Sequence, residues 1–146
     1  VTNEDVLQDQ PHRQVVRIGD TVRRPVRPWT GTVHALLRHL EAVGFPYSPR
    51  ALGIDEKGRE VLSCIEGDAG PTGWTEVVGD HGLTAFARLL REYHDATADF
   101  VPPDDAVRAG DTQEPGHDDT VGHGDFGPPN VICHGDFGPW NMVWQA

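Results

Sequence analysis

His134-Gly-Asp-Phe-Gly-Pro-Trp-Asn141 places a carboxylate, Asp136, and a side-chain amide, Asn141, five residues apart on one loop rich in Gly and Pro. A carboxylate held on such a loop can accept the proton of an attacking hydroxyl. An amide oxygen beside it offers Mg²⁺ the hard oxygen ligand that the ion prefers. His134 fits a role in orienting the loop by hydrogen bonding. The same words occur twice: His123–Pro128 repeats eleven positions later as His134–Pro139, and the copies run on to Asn130 and Asn141. The second copy lies between two apolar runs, Val131-Ile132-Cys133 and Met142-Val143-Trp144, whereas the first follows the polar stretch GHDDTVG. A loop is positioned by the rigid elements at its ends. The second copy is therefore the candidate site, and the first reads as a tandem duplication, tolerated because loop closure costs little extra with length. Using one copy as a catalytic loop and the other as a metal motif would need a hairpin between them, and VIC leaves no room for one. His117, His123, Cys133 and His134 match no zinc spacing.

The elements that must position this loop are legible upstream. Residues 14–18 and 21–25 read as two strands joined by Gly19-Asp20. Residues 30–43 read as a helix, with Val33, Leu36, Leu37, Leu40 and Val43 on one stripe, Thr30 as its cap and Gly44 as its stop. Residues 51–55 and 59–66 form a second hairpin around Glu56-Lys57-Gly58, and GDAGPTG then breaks the chain near residue 67. Residues 82–98 read as the strongest helix, with Leu83, Phe86, Ala87, Leu90 and Tyr93 as its stripe and Asp80 as its cap. His34 and His39 are expected at the surface or satisfied by partners. Residues 1–13 are expected to be loose, and residues 101–122 a disordered insert. The order of strands and helices predicts an α+β fold.

An Asp followed five residues later by Asn is the arrangement kinases use to orient a nucleophile and hold metal. VICHGDFGPWNMVW resembles the catalytic loop of the aminoglycoside phosphotransferase family. The stretch from Val15 through Gly67 resembles the amino-terminal lobe of one branch of that family, and LLREYHDATADF the helix before its catalytic loop. The resemblance implies a kinase-like two-lobed fold, with residues 1–66 as a small β-rich N-lobe on the nucleotide side. Residues 67–146 would be an incomplete, mainly helical C-lobe carrying the catalytic loop 131–144. It implies transfer of the γ-phosphate of ATP or GTP to a hydroxyl of a small-molecule alcohol. Asp136 would orient the acceptor, Asn141 would bind Mg²⁺, and Arg24 would meet phosphate from the strand where the family usually presents Lys. Cys64–Gly67, with Glu66 in it, matches the hinge whose backbone would bind adenine. The helix 30–43 should offer a Glu to the strand's cation, but its expected place holds Val33 and His34. The second metal-binding Asp does not occur before Ala146, so the resemblance is to a carboxy-terminally truncated member. The alternative is a non-catalytic member that at most binds a nucleotide or a protein partner. On that alternative reading, an open end after Trp144 would leave an apolar strand unpaired.

Composition narrows the classes. The net charge is −11, with residues 1–50 at +2 and residues 51–146 at −13. No basic stripe is present to neutralise phosphates along a duplex, which argues against nucleic acid. Gly 17 and Pro 12 of 146 residues point to long loops. Cys64 and Cys133 are too few for a disulfide scaffold and read as small buried hydrophobes. No apolar run is long enough to span a membrane and no leader is visible, so a cytoplasmic protein is expected. The first residue, Val1, suggests a fragment or a processed form.

Overall fold

Val15–Ile18 (β2) and Thr21–Pro25 (β3) pair as the alternation requires, with Ile18 opposite Thr21 across the two-residue turn. The computed structural model describes residues 4–10, 13–107 and 143–145. A second hairpin, Ala51–Ile54 (β4) and Arg59–Ser63 (β5), adds to the other side of β3. Its turn is fixed by Asp55, whose Oδ1 accepts from the amides of Lys57 at 3.0 Å and Arg59 at 2.9 Å. That is the local competition for backbone donors that makes Asp a turn residue. Asp5–Gln8 (β1) forms an edge strand on β2, where a loose terminus was expected. Polarity misled there: Val6 and Leu7 are exposed, and the strand is tied down from outside by Glu4, paired with Lys57 at 3.0 Å. The sheet is antiparallel throughout, in the order β1-β2-β3-β5-β4.

Thr30–Ala42 (α1) covers one face of the sheet. Thr30 is the first helical residue rather than its cap, and its hydroxyl accepts from the Arg27 amide at 2.9 Å in the preceding turn. The helix ends as Gly44 predicts. Gly44 has φ 77°, its amide donates to Glu41 O, and the next amide, Phe45, reaches back to Leu40 O. This is the pair of reversed bonds that a left-handed residue after a helix provides, and it satisfies carbonyls otherwise orphaned. Phe45 then turns into the core beside Leu40.

Pro71–Val77 (α2) begins within the GDAGPTG stretch that reads as a break near residue 67, and Pro stands at its first position, where a missing amide costs nothing. Asp80–Thr97 (α3) follows. Asp80 lies within the first turn, favourable to the helix dipole, and does not cap it by a side-chain bond. The core is small: Leu37, Leu40, Leu62 and Tyr93, with Val33, Leu36, Phe45, Ala51 and Ala96 packed around it. The two predicted stripes are only partly used, since Val43 and Leu83 are both 53% exposed. Packing against α1 thus involves the carboxy-terminal half of α3, through Tyr93 and Ala96. Val143–Trp144 (β7) is not an unpaired end: it pairs antiparallel with Asp68–Ala69 (β6). Residues 101–107 return to α1, where the Val107 amide donates to Thr32 Oγ1 at 2.8 Å. The fold class is α+β.

Candidate functional site

Register decides which charges meet. Arg24 on β3 lies opposite Glu60 on β5, so both side chains emerge on one face of the sheet. Leu62, two residues on, shares that face with Glu60 and packs into the core under α1. Glu60 is therefore carried inside and is 1% exposed. The Arg24 guanidinium Nε donates to Glu60 Oε2, while the Arg24 side chain remains 43% exposed. From α1, His34 brings Nε2 to 3.0 Å from Glu60 Oε1, at an angle that makes no hydrogen bond. Both of those atoms are buried without a hydrogen-bond partner among the described residues. A carboxylate, a cation with access to solvent and a buried imidazole thus meet where helix and sheet join.

The opposite face carries a second network. Arg23 lies opposite Val61, and its Nε sits 3.4 Å from Asp55 Oδ2. Arg59 donates to the same oxygen at 2.9 Å and reaches Glu4 at 3.4 Å. Burial acts to raise the Asp55 carboxyl, but the Arg59 and Lys57 amides and the Arg59 guanidinium outweigh it and hold the group below its ordinary value of 3.8. The bonds from Lys57 and Arg59 likewise hold Glu4 below 4.5.

Beyond β5 the chain passes a groove of about 540 Å³, walled by Glu41, Phe45, Ser48, Arg50, Cys64, Glu66 and Gln145. Glu66 stands at its edge with its side chain 68% exposed and forms an ion pair with Arg17. A smaller groove of about 280 Å³ follows α3, lined by Tyr47, Phe86, Leu89, Val143 and Trp144.

Of the residues singled out by sequence, Arg24 and Glu66 are described, and each has its own ion-pair partner. His134, Asp136 and Asn141, with both copies of the repeated loop, lie outside the described residues. The Glu sought on α1 for the strand's cation comes instead from β5. Glu60 escaped sequence reading, although its place two residues before Leu62 marked it as inward-facing. His34 is buried rather than at the surface, and its Nε2, beside Glu60, makes no hydrogen bond among the described residues. His39 does find a partner, the Ala96 carbonyl at 2.8 Å. Among the described residues, no group of three or more His, Cys, Asp or Glu side chains could hold a metal ion. No described helix is long and apolar enough to cross a membrane.

Comparison with known proteins changes the functional direction. The chain is 38% identical over 141 aligned positions to the trifolitoxin immunity protein of Rhizobium leguminosarum bv. trifolii. The alignment takes in 90% of this chain and 51% of that protein, so the chain spans about half the length of the relative it matches. No family model and no solved structure matches.

These findings correct the expectation drawn from the repeated loop. Resemblance to the aminoglycoside phosphotransferases is overturned: similarity across nearly the whole chain leads to a protein named for immunity to a toxin, and no phosphotransferase model matches. Phosphoryl transfer, with its kinase, ATP-binding and magnesium attributes, falls with it. So does the alternative of a truncated member that binds a nucleotide or a protein partner. The physical reason is that HGD followed by Asn is a short pattern. Its two polar groups suit proton transfer and metal binding wherever they are brought together, but eight residues do not specify that the surrounding fold does so.

Proposed function

We propose that this chain belongs to a toxin-immunity protein, one that protects a cell against a toxin. A single observation carries the reading: 38% identity, reaching across 90% of the chain, to a protein named for immunity to trifolitoxin. Because that relative is about twice as long, the activity of the whole protein forms part of the proposal. We assign the function to the groove beside Glu66. It is the larger of the two concavities described above, and polar and apolar groups converge in it, as they do in sites that orient a ligand. We place the protein in the cytoplasm, with residues 1–66 forming the sheet-bearing part and residues 67–146 a second part.

The assignment is tested with Glu41→Arg. Glu41 lines the groove and is exposed, and reversing its charge disturbs no described ion pair. In toxin-sensitive cells expressing the protein, this variant protects less than the unaltered chain while its melting midpoint stays the same. Full protection by Glu41→Arg would remove the groove from the account and leave immunity standing. No protection by the unaltered, folded chain would remove immunity itself.

A further inference from the structure

Three consecutive residues at the far end of the described chain grip the connector between the sheet and α2. Val143 pairs with Ala69 and Trp144 with Asp68, and Gln145 Nε2 donates to the Glu66 carbonyl at 3.0 Å. Two glycines make room for this fit. A Cβ on Gly67 would overlap the Trp144 carbonyl and meet Val143 Cγ1 at 2.8 Å. A Cβ on Gly73, inside α2, would stand 2.9 Å from the indole Cδ1 of Trp144. Trp144 therefore rests on α2, while the next residue, Gln145, walls the groove beside Glu66.

The grip is slight. The ladder is two residues long, and both residues of β6 are exposed. Trp144 Nε1 is buried with no hydrogen-bond partner among the described residues, which opposes keeping the ring in place. Short two-stranded pairings contribute little stability alone. What holds this one is the contact with Gly73 at one end and with Glu66 at the other.

We propose that residues 143–145 are a latch that couples the groove beside Glu66 to the seating of α2. With the indole on Gly73, Gln145 is held against the Glu66 carbonyl and the groove keeps that wall. When the indole is displaced, Gln145 leaves with it, because adjacent residues of one extended strand cannot move independently by more than a bond rotation or two. Coupling of this kind needs a contiguous element with two arrangements, seated and released.

The test is Gly73→Ala, whose sign is informative. Inside a helix, Gly→Ala by itself is favourable. If the latch exists, the added methyl pushes the indole away. The melting midpoint then falls, and the amides of residues 66–69 exchange at least about tenfold faster. In a Trp144→Ala background only the Asp68 carbonyl, 3.2 Å from the added methyl, remains close, so the same substitution lowers the midpoint by less than it does beside the indole. A rise in the unaltered chain, an equal fall in both backgrounds, or unchanged exchange at residues 66–69 would each overturn the latch. Should Gly73→Ala fail to fold, Trp144→Ala alone decides: faster exchange at residues 66–69 together with α2 is expected, and exchange unchanged in either element contradicts the coupling.

Discussion

Removing either partner of the Arg24–Glu60 pair destabilises the protein, and the two losses differ in size for a reason visible in the structure. Glu60 is 1% exposed, so it has given up its hydration. Arg24 keeps 43% of its side chain in solvent and can rehydrate if left alone. Arg24→Ala strips the bonded cation from a buried carboxylate, the case in which breaking a pair costs about 3–5 kcal/mol. Glu60→Gln keeps the shape, leaves an acceptor for Arg24 and frees a cation that has water available. Its cost is that of a charge-assisted bond reduced to a neutral one, about 1–2 kcal/mol. Arg24→Ala combined with Glu60→Gln removes the stranded charge, so the double variant is more stable than Arg24→Ala alone. Urea unfolding at neutral pH, with m unchanged across the set, measures all three. A Glu60→Gln loss equal to or greater than that of Arg24→Ala would refute the reasoning, as would a double variant less stable than Arg24→Ala.

Acid should weaken the second network in a defined direction. Folding lowers the carboxyls of Asp55 and Glu4 below 3.8 and 4.5. A group lowered on folding contributes stability that is complete above its unfolded value and is lost as pH falls through the folded one. Urea midpoints are thus insensitive to this pair above about pH 5 and decline below about pH 4. Asp55→Asn lowers the plateau and flattens the decline, and an unchanged slope in that variant would contradict it. In the core, Leu40→Ala costs about 2–5 kcal/mol because Leu40 is 1% exposed. Val43→Ala, on the same stripe in sequence but 53% exposed, costs under about 0.5 kcal/mol by thermal or urea unfolding.

The elements legible in the sequence were those whose own residues impose a period or a stop. Thr21–Pro25 is found where alternation and the following prolines put it, and Gly44 ends α1 by the conformation a glycine permits. What sequence missed depends on partners far away in the chain. β1 lies in a polar stretch, and its pairing with β2 and the Glu4–Lys57 ion pair join it to residues distant in sequence. β6 and β7 are 74 residues apart at the Ala69–Val143 rung, and neither two-residue piece carries a pattern of its own. α2 announced itself only by a proline, which reads as a break or as a first helical residue with equal ease. Arg24 was legible as a cation at a strand end, but its tie to Glu60 needed the β3–β5 register, fixed by a hairpin more than 25 residues downstream. Function was misread for a related reason. The repeated HGDFGP is chemically eloquent and short, whereas the similarity to an immunity protein extends over 90% of the chain at 38% identity.

Survival decides the central claim. A toxin-sensitive strain is challenged over a range of trifolitoxin concentrations, with the protein expressed or absent and its folded level checked in each culture. Immunity predicts that expression shifts the killing curve to higher toxin concentration. Superimposed curves with folded protein present would contradict it.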